Sequence, residues 1–211
     1  DLYDSSSVAK ATIDEADEIL GTKLSTLMFE GPVEALNDTY NAQAASLTVS
    51  VAALQALEAK AEAAGETLAP VAAAGHSQGG SGAINAALDP RVDTVVAIQP
   101  GARNDVGTLD ESVLFLAGQN DVIVPPARVR QMYDAALGAP AIYAEVAGAT
   151  HFDTGITGGL SRGPSTAWLR YRLLDDPAAR AEFTGEHCGF CGDTARFPVF
   201  DRNDAALRLP G

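Results

Sequence analysis

The chain has 211 residues, enough for one domain with a sizeable core, and 46% of them are hydrophobic, which is typical of a globular rather than a disordered protein. The formal net charge of −14 argues against nucleic acid as a partner, because so acidic a surface repels phosphate backbones. No apolar run approaches the roughly 18 residues that a membrane span needs, so we expect no membrane segment.

Helical spacing and short apolar runs predict the elements in chain order. The first third is predicted to form a helix, a short strand and a long helix, over residues 6–20, 24–29 and 41–64. After it, strands are predicted over 71–74, 92–98, 112–117 and 141–146, and helices over 80–88, 126–137, 165–174 and 177–183. This alternation predicts an α/β fold, with a mostly parallel sheet flanked by helices. Reactive groups are then expected at the carboxyl ends of the strands.

A nucleophile motif stands between the first of these strands and the helix after it. Gly75-His76-Ser77-Gln78-Gly79 matches Gly-x-Ser-x-Gly, in which glycines leave room for a strained turn with the serine at its apex. The backbone N–H of Gln78 would lie at a helix N-terminus and could face a developing oxyanion. The alternative is a glycine-rich loop around a structural serine.

A serine nucleophile needs a base, and the chain has three histidines. His76 adjoins the serine, and its side chain must leave the turn in a different direction. His187 lies beyond the last predicted helix. His151 directly follows a predicted strand, at the carboxyl edge of the sheet, and is therefore predicted to be the base; a structural histidine in a loop is the alternative.

The base in turn needs an acid to orient it. Asp121 follows the predicted strand 112–117 and is our candidate, with a plain turn aspartate as the alternative. Asp134 falls inside a predicted helix, Asp153 is too near His151 in sequence to orient it easily, and Asp105 is the main competitor. Asp121 is preferred because serine, acid, histidine is the chain order of the α/β-hydrolase arrangement.

With these positions placed, the chain from about residue 20 to 183 resembles bacterial polyester hydrolases of the cutinase and poly(ethylene terephthalate) hydrolase type. The segment from Asp121 to Pro125 resembles the family's Asp-x-Ile-Ala-Pro, and that from Gly148 to Phe152 resembles Gly-Ala-Ser-His-Phe. Gln78 stands where the family has methionine. The resemblance implies an α/β-hydrolase fold with a Ser-His-Asp triad.

The function predicted on this basis is a serine carboxylic-ester hydrolase that forms an acyl-enzyme on an ester or polyester substrate. Such a mechanism needs no cofactor and no metal, and the resemblance implies secretion. A short-chain acyl esterase or lipase is one alternative. A catalytically incomplete α/β-hydrolase-like binding or scaffold protein is another, from a different class.

The chain departs from the family at several positions. Gly101 stands where the family carries a tryptophan that flanks the ester, and Ile123 is predicted to contact substrate beside the acid. Cys188 and Cys191 replace a widely spaced disulfide; a short-loop disulfide is favoured over free thiols and over a metal site with His187.

The largest departure is at the start, where the usual leading strands of the fold are lacking. The second oxyanion donor of the family lies near that point, and Tyr3 is the nearest match. We expect a single domain over 1–211 that either dispenses with those strands or is truncated at its N-terminus. We would then expect the exposed edge of the sheet to pair with either a second copy of the chain or a missing N-terminal segment.

Overall fold

The structure is a computed structural model that describes residues 2–67, 70–101, 105–154 and 158–209. The chain divides into two compact units, residues 1–69 and 70–211. The first is helical and the second contains the sheet. The assignment of the whole chain to a single domain stays a prediction.

Within residues 2–67, the helical unit has five helices: α1 (Leu2–Ser5), α2 (Ser7–Leu20), α3 (Leu24–Glu30), α4 (Val33–Leu36) and α5 (Thr39–Ala63). Helix α2 starts where the Ser6 hydroxyl accepts a hydrogen bond from the backbone N–H of Ala9, at 3.2 Å. It ends at Gly21, which takes the left-handed conformation that favours glycine. Its buried face packs through small side chains on α5, because Ala9 and Ala52 are both fully buried and let the two helices approach closely.

The strand predicted over 24–29 was wrong, because this segment forms α3. A buried carboxylate on α2 explains the difference: Asp17 accepts hydrogen bonds from both the backbone N–H and the hydroxyl of Ser25, in the first turn of α3. The first backbone N–H groups of a helix have no acceptor within the helix, and Asp17 supplies one for the N–H of Ser25. Leu24 and Leu27 are also good helix formers, so the tertiary contact acts with the local preference.

The second unit contains a five-stranded sheet and the helices that cover it. The strands are β1 (Val71–His76), β2 (Val92–Ile98), β3 (Ser112–Gly118), β4 (Ala141–Val146) and β5 (Val199–Arg202). The helices are α6 (Gln78–Ala86), α7 (Pro126–Ala135), α8 (Arg162–Leu174), α9 (Pro177–Arg180) and α10 (Gly189–Gly192). Two short 3₁₀ helices, Gly159–Ser161 and Ala206–Arg208, complete the described elements.

The strand order follows the chain, β1-β2-β3-β4-β5, with the first four strands parallel and β5 antiparallel to β4. Each residue of β3 is buried, which marks this strand as the centre of the sheet. Apolar side chains cover both faces: one cluster includes Ile84 of α6 and Met132 of α7, and the other is built around Trp168 of α8. The predicted α/β class, with a mostly parallel sheet flanked by helices, is therefore confirmed, and the arrangement is compatible with an α/β-hydrolase-like fold.

Strand β5 was not predicted from the sequence. It is four residues long and half-buried throughout, so it lacks the continuous apolar run that marked the parallel strands. The carboxyl ends of β1 to β4 meet at one edge of the sheet, because these strands are parallel. Ser77 and Gln99 follow β1 and β2 directly, and the loops after β3 and β4 carry Asp121 and His151.

Candidate active site

Ser77 occupies a strained turn between β1 and α6. Its backbone has φ +55° and ψ −121°, a conformation that L-residues rarely adopt. The turn is held from both sides, since the N–H of Ser77 donates to the carbonyl of Ile98 at 2.9 Å and its carbonyl accepts from the N–H of Gly101 at 2.8 Å. The serine therefore stands at the end of β1, tied to the loop that follows β2.

A chain of hydrogen bonds connects Ser77 to two buried partners. His151 Nε2 lies 3.0 Å from Ser77 Oγ, and His151 Nδ1 lies 2.7 Å from Asp121 Oδ2. His151 and Asp121 are 6% and 3% exposed, so water does not compete for either group. Because the carboxylate accepts a hydrogen bond from Nδ1–H, Nε2 of the neutral ring carries no proton and can accept that of the serine hydroxyl. This is the arrangement of a nucleophile, a base and an orienting acid.

The carboxylate of Asp121 is itself fixed by the backbone. Its second oxygen, Oδ1, accepts from the N–H groups of Ile123 and Val124, both at 2.8 Å. The three other candidate acids are engaged elsewhere: Asp105 accepts from Gly107 N–H, Asp134 pairs with Arg130, and Asp153 accepts from Thr150 N–H.

Helix α6 begins directly after Ser77, where the oxyanion donor is predicted. Gln78 is the first residue of that helix, so its N–H has no partner within the helix and is available to a developing oxyanion. Gly101 lies directly beside it. A Cβ placed on Gly101 would come within 2.8 Å of Gln78 Oε1 and 3.2 Å of the Gln78 backbone nitrogen. At Gly101, where the family resemblance implied an aromatic position, the space for a side chain is thus partly filled by Gln78.

The remaining predicted residues lie as follows. Tyr3 belongs to the helical unit, where its hydroxyl donates to Asp14 at 3.0 Å and accepts from Lys10. Its role as a second oxyanion donor stays a prediction. The side chain of Ile123 is 49% exposed beside the acid, and its contact with substrate likewise stays a prediction.

Sequence reasoning missed the contacts of two side chains in this region. The ring of His76 lies against the ring of His151, with centroids 4.7 Å apart, although it was expected to point elsewhere. Gln99, which is 2% exposed, joins His76 to the loop that carries His151. Burial first, and then the neighbouring His151, lower the pKa of His76 below its ordinary value of 6.5. In the sequence, the only feature that could have drawn attention to Gln99 was its position directly after a predicted strand.

Cys188 and Cys191 form a disulfide in the structure, with Cα atoms 5.1 Å apart. Within the described ranges, no group of three or more histidine, cysteine, aspartate or glutamate side chains could hold a metal ion. A search of the same ranges found no helix of the length and apolarity needed to cross a membrane.

Comparison with known proteins gives one partial match. A malonyl CoA-acyl carrier protein transacylase of Bacillus subtilis (strain 168) is 49% identical to the chain over 87 residues, which are 41% of this chain and 26% of that relative. The match thus spans about a quarter of the relative's length. No protein-family model matches the chain.

This match corrects the expected family and function. The resemblance to cutinases and poly(ethylene terephthalate) hydrolases was wrong, and so was the polyester hydrolase function, because the relative is named for acyl transfer between CoA and a carrier protein. Secretion was expected from the same resemblance and is withdrawn with it. Neither the short-chain esterase or lipase alternative nor the scaffold alternative gains from the match. The sequence motifs misled for a physical reason. A nucleophile, base and acid can act on any activated acyl group, so the three motifs do not indicate which molecule accepts the acyl group.

Proposed function

We propose that the protein is a serine-dependent acyl transfer enzyme, which moves an acyl group from a thioester donor to a thiol acceptor through an acyl-Ser77 intermediate. The observation that carries the proposal is the continuous chain of hydrogen bonds from Asp121 through His151 to the strained Ser77. A serine hydroxyl is a weak nucleophile until a base takes its proton, and the 3.0 Å contact between His151 Nε2 and Ser77 Oγ supports His151 as that base.

In the first half of the reaction, Ser77 Oγ attacks the thioester carbonyl carbon while His151 Nε2 takes the hydroxyl proton. The carbonyl oxygen becomes an oxyanion, to which the N–H of Gln78 donates. When the tetrahedral intermediate collapses, the C–S bond breaks and His151 returns the proton to the departing sulfur. The products are a free thiol and an ester of Ser77, with Asp121 holding the imidazole throughout.

The second half reverses these steps with a different thiol. The acceptor gives its proton to His151, its sulfur attacks the acyl carbonyl, and the C–O bond to Ser77 breaks as the serine oxygen recovers the proton. Sulfur is an intrinsically strong nucleophile, which favours a thiol over water as acceptor. The name of the relative supports malonyl-CoA as the donor and the thiol of an acyl carrier protein as the acceptor.

The surface beside the triad also suits an acyl thioester. Three apolar side chains adjoin the acid and the base in sequence and are largely exposed: Val122 at 88%, Ile123 at 49% and Phe152 at 75%. Phe152 meets the His151 ring edge-on, with centroids 5.6 Å apart. Exposed apolar groups at the edge of a reactive site are available to the aliphatic part of a substrate.

Intact-mass measurement tests the proposal directly. The protein is mixed with malonyl-CoA, and we expect a malonyl adduct on Ser77 that disappears when the thiol form of acyl carrier protein is added, with the malonyl group recovered on the carrier. Ser77→Ala abolishes the adduct. Ser165→Ala is the matched control, because its hydroxyl is buried with no hydrogen-bond partner among the described residues and its loss should leave transfer unchanged.

Two outcomes would overturn the proposal. An adduct that is lost only to water, at the same rate with or without the carrier, would make the protein a hydrolase. Failure of malonyl-CoA, acetyl-CoA and a fluorophosphonate probe to modify Ser77 in folded protein would instead favour a non-catalytic binding or scaffold role.

A further inference from the structure

The backbone of Gln99 is strained and tied to the centre of the sheet. Gln99 follows β2 with φ +44°, an uncommon conformation for a residue other than glycine. Its N–H donates to the carbonyl of Leu116 in β3 at 2.7 Å. Such strain persists only where the surrounding structure holds it, and it gathers at functional sites.

The side-chain amide of Gln99 joins two other parts of the site. Its Nε2 donates to the carbonyl of Thr150 at 2.9 Å, and its Oε1 lies 3.0 Å from Nε2 of His76. Thr150 immediately precedes the base, His151. Gly118 leaves room for the amide, because a Cβ there would lie 2.2 Å from Gln99 Nε2. One buried amide thus contacts the ends of β1 and β3 and the loop after β4.

These contacts determine which nitrogen of His76 carries a proton. The Thr150 carbonyl can only accept, so it requires the NH₂ group of Gln99. The oxygen of the same amide then faces His76, and Nε2 of His76 must donate to it. A neutral His76 therefore bears its proton on Nε2 rather than on Nδ1.

A neutral His76 matters because of its neighbour. Its ring centroid is 4.7 Å from that of His151, which becomes an imidazolium whenever it takes the serine proton. A second positive charge at this distance would oppose that step. Burial is the largest effect on the pKa of His76 and lowers it, and the charge of His151 lowers it further. The hydrogen bond to Gln99 and the charge of Asp121 raise this pKa, but the net shift is downward, so the neutral form is favoured.

We propose that Gln99 is a positioning residue for acyl transfer: its buried amide fixes the loop that holds His151 and keeps the Nε2–H form of His76 against the base. This inference rests on the proposed function, since it concerns the efficiency with which His151 serves Ser77. The side-chain hydrogen bonds of Gln99 go to Thr150 and His76, so its effect passes through His151 and His76.

The first test replaces the amide by an apolar side chain of similar length. In Gln99→Met both hydrogen bonds are lost, and we expect kcat for malonyl transfer to fall by about 10- to 100-fold because the base is misplaced, while KM stays within about twofold. Gln131→Met, on the exposed side of α7, is the matched control and should behave as wild type. A Gln99→Met variant that folds and keeps wild-type kcat overturns the inference.

The second test replaces the amide by a carboxylate of the same shape, which adds a charge and also removes the donor to the Thr150 carbonyl. In Gln99→Glu a carboxylate faces His76, which raises the pKa of His76 and favours its cation beside His151. We expect the acid limb of the kcat–pH profile to move to higher pH by about 1 unit. A residue that served only to fill space would not move this limb. An unchanged limb overturns the proposal, and this readout remains if Gln99→Met fails to fold.

The third measurement needs only the wild-type protein. Nitrogen-15 spectra of the histidine rings at neutral pH should show His76 protonated at Nε2 and bare at Nδ1; the opposite tautomer overturns the inference. These results differ from those expected if the proposed function itself is wrong. In that case, the wild-type protein forms no malonyl adduct that the carrier removes. If only the positioning role is wrong, wild-type transfer is intact and the variants behave as wild type.

Discussion

Nδ1 of His151 lies 2.7 Å from Oδ2 of Asp121, and the other carboxylate oxygen accepts two backbone N–H groups from Ile123 and Val124. The acid is therefore held in one orientation. If the carboxyl group rotated so that the two oxygens changed places, the two hydrogen bonds from the backbone would be broken.

Asp121→Asn should follow from this constraint. The two backbone donors require the amide oxygen, so the NH₂ group is turned towards His151 Nδ1 and forces the proton onto Nε2, where it blocks acceptance of the serine proton. We expect the rate of Ser77 acylation to fall by about 10³- to 10⁴-fold. Asp105→Asn is the control, and the rate of adduct formation on Ser77 is measured for both variants by stopped flow. Equal losses in the two variants would contradict the assignment of the acid.

The two glycines that flank the serine motif should differ in their tolerance. A Cβ on Gly75 would lie 2.1 Å from the carbonyl oxygen of Gly79, a backbone atom that cannot move aside, whereas a Cβ on Gly79 meets nothing within 4 Å. We expect Gly75→Ala to lower the free energy of unfolding by about 3 kcal/mol or more. Gly79 lies within α6, so Gly79→Ala should raise the free energy of unfolding by up to about 1 kcal/mol, and acyl transfer should be retained. Urea unfolding of both variants tests the contrast, and similar stabilities would refute it.

Gly101→Ala should crowd the oxyanion side. The added methyl group would lie 2.8 Å from Gln78 Oε1, so we expect a loss of about 1–3 kcal/mol in the free energy of unfolding. Gln78→Ala removes that oxygen but keeps the backbone N–H, and in the double variant about 1 kcal/mol of the loss should be recovered as a coupling energy. Strict additivity in this double-mutant cycle would show that the Gln78 side chain is not what the methyl group meets.

In the helical unit, Asp17 should contribute stability that depends on pH. Burial raises the pKa of this carboxyl, but the hydrogen bonds from Ser25 and the nearby charge of Lys23 together outweigh burial and hold the pKa below 3.8. The stabilisation is therefore present above pH 3.8 and is lost as pH falls through the lower folded value. Asp17→Asn should cost about 1–2 kcal/mol at pH 7, and the difference from wild type should shrink in acid. Glu18→Gln, on the exposed side of α2, is the control; a pH-independent difference would contradict the prediction.

The charge of the chain should influence the choice of acyl donor. With a net charge of −14, the protein repels the phosphates of a CoA thioester. We expect KM for malonyl-CoA to fall by about twofold or more between 0.01 and 0.15 M salt, as the screening length shortens from about 30 to 8 Å. KM for the same acyl group on N-acetylcysteamine, whose thiol carries no phosphate, should change less. Parallel salt curves for the two donors would remove the electrostatic explanation.

The local pattern of the chain was enough to predict much of the sheet and the residues that meet at its edge. Apolar runs marked β1 to β4, and parallel strands bring their carboxyl ends together, so Ser77, Asp121 and His151 could be expected to converge. In the structure, Ser77 Oγ lies 3.0 Å from His151 Nε2, and His151 Nδ1 lies 2.7 Å from Asp121 Oδ2. Their catalytic roles, like the acyl donor and acceptor, stay predictions.

Only the tertiary structure decided the features that depend on contacts between distant residues. The amide of Gln99 joins groups 23 and 51 residues away, and Asp17 sets the start of α3 from another helix. Periodicity reports which face of an element is apolar, but it does not report which buried polar group finds which partner. The sequence by itself thus determined where reactive groups stand, and the folded chain decided how Gln99 and His76 support them, because those hydrogen bonds exist only once four strand ends have met.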